Sequence, residues 1–245
     1  MMVATMSAVR PGSPAGSYPI AESADPDVLG SIRTAAIDLA LWTRTLPPLL
    51  ADWIEGERPA RLPDDRKLVR LEHLEAALEA MVRPRGATRL ARALLVADIA
   101  DLARRFAAIA ATDIVDIRLE VIRHNACWRF HRDITPLRLL TTYRGPGTQL
   151  PPADRADQAL REQRNYRGPL TEFPRYAVAL FKGDPDDTGQ GVLHRSPSIV
   201  GTRIARLLLC LNLPSRASPE LWTPGAAGDN RCRMSPPPSP PLPLS

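Results

Sequence analysis

The 245-residue sequence predicts an α+β chain in which a helical first half supports an all-β second half. Three observations carry that expectation. Apolar residues recur at helical spacing between about residues 68 and 110. Near residue 112 the apolar period changes to two. Beyond that point, short alternating runs are separated by loops rich in Pro and Gly, the pattern of a β-sandwich or small barrel.

Taken in order, residues 1–24 are rich in Ser, Pro, Gly and Ala and read as a disordered leader. The alternation of Ile37, Leu39 and Leu41 predicts a short strand. Pro47-Pro48 then opens a short helix through Ala51, Trp53 and Ile54 that ends near Gly56. Leu68 to Val82 has helical spacing and is stopped by Pro84. A longer helix over about 88–110 carries Leu90, Leu94, Leu95, Ile99 and Leu102 on one stripe, with Arg89, Arg92, Arg104 and Arg105 off it. In DIVDIRLEVIR, Val115, Ile117, Leu119 and Val121 alternate with Asp116, Arg118 and Glu120, which predicts a half-buried strand. Further strands are expected at 137–143, 176–181, 191–194 and 204–211. The division expected is a leader (1–24), a single domain (25–213, helical support to 111 and β-structure from 112) and a Pro-rich extended tail (214–245).

Composition narrows the partners. The formal charge is +5, and every basic residue except Lys67 and Lys182 is Arg. No Lys-rich run of the kind that binds polyanions is present, so no nucleic-acid partner is expected. Three cysteines, Cys127, Cys210 and Cys232, form no even-numbered disulfide framework, which fits a reduced, cytoplasmic setting. The N-terminus has no apolar core of a signal peptide, and no run approaches the ~18 apolar residues of a membrane span.

The chemistry concentrates in the second half. His131 and Asp133 form an H-x-D pair, and His194 follows 63 residues later in VLHRSP. Two imidazoles and one carboxylate make a facial triad, which on Fe(II) leaves positions open for substrate and oxygen. On a strand, the i, i+2 spacing turns His131 and Asp133 to the same face, and a later strand would bring His194 in from the other side of a barrel mouth. Arg203 and Arg206 follow His194 by nine and twelve residues, and either guanidinium would suit the carboxylate of a 2-oxo acid. A zinc site using Cys127 with the histidines is the alternative, although Cys127 is expected to be a small buried hydrophobe. About half of the arginines between 118 and 144 are expected on a solvated face. The HRD string lacks the Asn of a kinase loop, since Arg138 stands there, and Ser196 lacks a G-x-S-x-G elbow.

The strings CWRFHRDITPLRLLTTYRGPGTQL, YAVALFKG and GVLHRSPSIVGTRIARLLLCLN resemble the bacterial domain-of-unknown-function 1826 family over about residues 30–213. At greater distance their order is similar to prolyl-hydroxylase-like 2-oxoglutarate/Fe(II) oxygenases. That resemblance implies a double-stranded β-helix (a jelly-roll, cupin-like barrel) holding Fe(II) on His131, Asp133 and His194. It implies 2-oxoglutarate on Arg203, with Arg206 as the rival anchor, and places Tyr143 with Gly147-Thr148 at the cofactor side. The implied activity is hydroxylation of an unknown substrate. A metal-binding barrel that uses no 2-oxoglutarate, or a metal-free sandwich that binds a partner, would carry the same strings.

Overall fold

Both halves of the sequence contribute strands to one seven-stranded sheet. The computed structural model describes residues 18–82 and 88–225. In chain order, the first half holds β1 (Ile20–Ser23), β2 (Leu39–Trp42), α1 (Pro48–Gly56), β3 (Asp65–Arg70), α2 (Leu74–Met81) and α3 (Arg89–Ala110). The second half holds β4 (Ile114–Ile122), β5 (Leu137–Arg144), β6 (Gln149–Leu150), α4 (Ala156–Glu162), β7 (Thr171–Glu172), β8 (Val178–Lys182) and β9 (Arg206–Asn212). The sheet order is β1-β2-β8-β5-β9-β4-β3, and every pair except β1–β2 is antiparallel.

Register decides which side chains meet. Ile117, Leu211, Leu139, Leu180 and Ala40 lie opposite one another across five strands, so one row of the pleat is apolar from β4 to β2. That face packs against Leu50 and Ile54 of α1, Leu74 and Leu78 of α2, and Leu95, Ile99 and Phe106 of α3. The row one residue along is Arg118, Cys210, Leu140, Ala179 and Leu41, and it faces the other way. Layers cover both faces, so β9 is an unbroken buried run, Leu207 to Leu211, and does not alternate.

The second layer is irregular. It consists of the β6–β7 pair together with single antiparallel bridges His131–His194 and Gln149–Arg195. Positive φ angles at Cys127, Gly145, Gln163, Gly191 and Gly201 interrupt it, which keeps most of its pairings from extending into ladders. Among the described residues no ladder joins the two layers, so no closed barrel forms.

Several expectations need correction. The leader assigned to residues 1–24 includes Tyr18, which is buried, and β1, which pairs with β2; only residues 1–17 of it lie outside the described part. Residues 25–111 are mainly helical, and they also supply β2 and β3 to the sheet. Residues 68–70 finish β3 rather than start a helix, since pairing with β4 outweighs their helical spacing. The strand expected at 191–194 reduces to the bridge at His194. The start of the 214–245 tail is docked: Leu221 bridges Leu68, the Trp222 amide donates to the Leu68 carbonyl at 2.8 Å, and Ser218 Oγ donates to Asp116 Oδ2 at 2.6 Å. Residues 226–245 of that tail, Cys232 among them, lie outside the described residues. No helix among the described residues is long and apolar enough to cross a membrane.

Tyr143 is a further correction. The period of β5 turns it to the helical face, where its fully buried hydroxyl donates to Asp98 Oδ2 at 2.5 Å. Arg44 grips the same carboxylate with both terminal nitrogens. Burial, with the Asp98 charge, pushes the phenol well above its ordinary pKa, so it stays a donor. Tyr143 therefore ties α3 to β5 and does not reach the cofactor side. Tyr143→Phe is expected to lower unfolding free energy by about 1–2 kcal/mol while leaving metal affinity unchanged, as read by urea denaturation beside metal titration.

Candidate metal centre

The segment carrying His131 has little regular structure, so specific contacts hold it. The His131 amide donates to the His194 carbonyl at 3.0 Å and the His194 amide donates back at 3.1 Å. This closed pair sets the two histidines side by side in one layer, not on opposite sides of a barrel mouth. One residue upstream, the Gln163 side-chain amide accepts from Phe130 N at 2.8 Å and donates to Phe130 O at 3.0 Å, acting as a strand partner. Downstream, the Asp184 amide donates to the Asp133 carbonyl at 2.6 Å. Gly183 is needed for that approach: a Cβ there would lie 2.0 Å from Thr135 O and 2.4 Å from Asp133 O.

The three side chains converge. His194 Nε2 lies 3.6 Å from Asp133 Oδ2, and His131 Nε2 lies 3.7 Å from Asp133 Oδ1. All three ligand atoms fall within 4.8 Å of one another. Two atoms that each bond one ion at about 2.1 Å are at most about 4.2 Å apart, so the spacing admits a shared ion with little movement. Each histidine points its Nδ1 at the carbonyl two residues before it, His131 to Arg129 at 2.8 Å and His194 to Val192 at 3.0 Å. With Nδ1 as donor, the Nε2 lone pair of each ring faces the cluster, the usual outer support of a metal-bound imidazole. Asp133 Oδ2 is buried and accepts no hydrogen bond, while Arg138 takes Oδ1. A buried orphan carboxylate oxygen 3.6 Å from an imidazole nitrogen is what a divalent cation would satisfy.

Burial tunes the site. His194 is almost inaccessible, with the Phe181 ring edge-on at 4.8 Å. Desolvation pulls its pKa down to about 4, so the ring is neutral and free to ligate at neutral pH.

A narrow cavity of about 30 Å³ opens beside the cluster, with room for one or two waters. His131, His194, Arg118, Arg138, Thr148 and Ser196 line it. Behind Ser196 lies Arg206, which is completely buried. Its Nη1 donates to Ser196 Oγ at 2.8 Å and its Nε to the Pro146 carbonyl at 2.8 Å, and it has no ion-pair partner among the described residues. Desolvation lowers its pKa to about 10, so the charge remains at neutral pH. A buried, unpaired cation is costly unless an anion comes to it.

The other predicted residues scatter. Arg203 is exposed and lines a different cleft, so Arg206 is the guanidinium on the triad's side. Cys127 is exposed, not a buried hydrophobe, because a left-handed φ of 50° turns the chain there. It lines the cavity but does not join the ligand cluster, so the Cys127 zinc arrangement is not assembled. Sequence reasoning passed over Arg118, Arg138 and Ser196. The period of β4 puts Arg118 in line with Asp116 and Glu120, and Ser196 is two residues after His194. Those spacings were the available signals.

The family described as "Protein of unknown function (DUF1826)" matches residues 23–212. The chain belongs to that family. A comparison with curated proteins gives no match for this DUF1826 chain. Among solved structures it is similar to a Kdo hydroxylase, described as a non-heme Fe(II) alphaketoglutarate dependent dioxygenase (13% identity, 80% of this chain and 89% of that one, TM-score 0.42). It is also similar to a rice dioxygenase for auxin oxidation (13%, 81% and 83%, 0.44) and to a Pseudomonas putida prolyl-4-hydroxylase (16%, 78% and 94%, 0.39). At that distance, the reading of the DUF1826 site rests on its own geometry.

The His194 shift has a pH consequence for the metal-free chain. Unfolded, the imidazole titrates near its ordinary 6.5; folded, it titrates near 4. Between those values the unfolded chain binds a proton that the folded chain does not. Its contribution to stability is therefore complete above pH 6.5 and is lost as the pH falls toward 4, by up to about 3 kcal/mol. Urea midpoints measured from pH 7.5 to 4.5 should fall more steeply in wild type than in His194→Gln. Parallel slopes would contradict the assignment.

Proposed function

We propose that this chain is an Fe(II)- and 2-oxoglutarate-dependent oxygenase that hydroxylates a small-molecule or protein substrate. The observation that carries the reading is the His131–Asp133–His194 cluster, with its orphaned Asp133 Oδ2, one serine away from a buried and unpaired Arg206. His131 Nε2, Asp133 Oδ2 and His194 Nε2 would hold Fe(II) on one face. Arg206, braced by Ser196 and Pro146, would take the distal carboxylate of 2-oxoglutarate in a bidentate grip. Bound there, the metal and cosubstrate supply oxidising chemistry from molecular oxygen that reaches unactivated C–H bonds.

The chain's own residues do the positioning. Arg138 anchors Asp133 Oδ1 and also donates to Asn212 Oδ1 at 2.7 Å, which leaves one carboxylate oxygen for the metal. Phe181 and the closed His131–His194 pair keep the rings from turning. The cavity is too small for a five-carbon diacid as it stands. Arg118 lines it, with its Nε 3.4 Å from Glu120 Oε2, and would have to move for the cosubstrate to enter. The reading extends to the fold. The major sheet facing the shorter layer of 131, 194–195, β6 and β7 supports a double-stranded β-helix whose second layer is frayed.

Anaerobic titration tests the proposal. Wild type with Fe(II) and 2-oxoglutarate should develop a visible metal-to-ligand charge-transfer band, and His131→Ala should not. Arg206→Lys keeps the charge but loses the fork, and should weaken 2-oxoglutarate by roughly tenfold or more while Fe(II) binding persists. Absence of the band from wild type sinks the oxygenase reading, and tight metal binding without it leaves a metal-binding protein that uses no 2-oxoglutarate.

A further inference from the structure

We propose that the cleft at the RGPG turn is a second ligand site, for a small polyanion carrying two or more carboxylate or phosphate groups. The cleft has about 570 Å³ of room, within the usual range of about 300–1,000 Å³ for small-molecule sites. No residue lines both it and the triad cavity. The two are separated by the Pro146 segment, whose carbonyl holds Arg206 from the far side.

Three guanidiniums reach the cleft from three parts of the chain: Arg144 at the end of β5, Arg175 before β8, and Arg203 before β9. Two carboxylates oppose them, and both are engaged. Glu172 accepts from the Gly147 amide at 3.0 Å and from Gln149 Nε2 at 3.3 Å. Glu55 is shared between Arg175 at 2.6 Å and Arg144 at 4.0 Å. Arg144 Nη1 also donates to the Ile54 and Glu57 carbonyls at 3.2 and 2.7 Å, which fixes the guanidinium against the end of α1. Arg203 is exposed, and its guanidinium has no hydrogen bond or ion pair among the described residues.

Packing explains the glycines of this string, and the end of α1 holds Arg144, but neither accounts for Arg203. A Cβ on Gly145, at φ +81°, would lie 2.9 Å from Arg206 Cγ, and one on Gly147 would lie 2.1 Å from Phe173 O. What remains is a concave surface with one guanidinium in excess and two more fixed or shared at its walls. Planar guanidiniums match carboxylate and phosphate oxygens in bidentate geometry, and their spread over three segments suits a ligand with more than one anionic group.

Calorimetric titration of the full chain as purified, at fixed ionic strength, tests this with inorganic pyrophosphate in one arm and citrate in the other. At least one should bind with a submillimolar Kd, and the tighter arm tells phosphate from carboxylate. Arg203→Ala and Arg175→Ala should each weaken binding at least tenfold, and Arg203→Lys by less. Arg161→Ala, an exposed arginine on α4, and His131→Ala should leave binding unchanged, so the result is independent of the metal centre. Circular dichroism melts confirm that the variants fold, which the exposure of Arg203 and Arg175 favours. The proposal is overturned if neither anion binds wild type, or if Arg161→Ala weakens binding as much as Arg203→Ala.

Discussion

The reciprocal backbone pair between His131 and His194 is the constraint on which the site depends. It joins two segments that are otherwise irregular, and with it come both imidazoles, their centroids 4.5 Å apart. Each ring then uses the carbonyl two residues back to fix Nδ1, so one short stretch of paired backbone sets both position and tautomer. The neighbours serve that pair. Gln163 clamps the residue before His131, Gly183 lets the end of β8 close against Asp133, and Ser196 carries the same segment on to Arg206. Breaking the pair would free both imidazoles together.

Burial supplies the chemistry that pairing positions. The major sheet is covered on both faces, so polar side chains on its inner rows are stripped of water. Arg206 at the start of β9, and Asp133 in the buried segment before β5, are kept with part of their hydrogen-bonding capacity unused. Such groups are expensive in a protein interior and are retained where a ligand meets the cost. The Asp98–Tyr143–Arg44 cluster on the opposite face is the counterexample within the same molecule. There donor and acceptors satisfy one another, and the cluster has a structural role.

Much of the architecture was legible one element at a time. The change of period near residue 112, Pro47-Pro48 before α1 and the capped stripe of α3 each rest on local spacing, and each appears within a few residues of its expected place. Less legible were β1 and the docked start of the tail, whose residues look like linker. Their structure comes from partners far along the chain, Leu39 for Ile20 and Leu68 for Leu221. The ligand types were visible as an H-x-D pair with a later His and two arginines beyond it. Their convergence was expected from that spacing, and the His131–His194 backbone pairing across 63 residues is what brings it about.

Local chemistry in the chain determined residue types, periods and turn positions: the alternation of β4, the glycines that relieve crowding at 145, 147 and 183, and the arginine excess. Pairing and depth lay beyond it. Arg203 and Arg206 are three residues apart and equally basic. One ends exposed in an outer cleft and the other sealed behind Ser196, because β9 begins at Arg206 and carries it under the second layer. A period says which residues share a face, but burial depends on what the rest of the chain brings to cover that face.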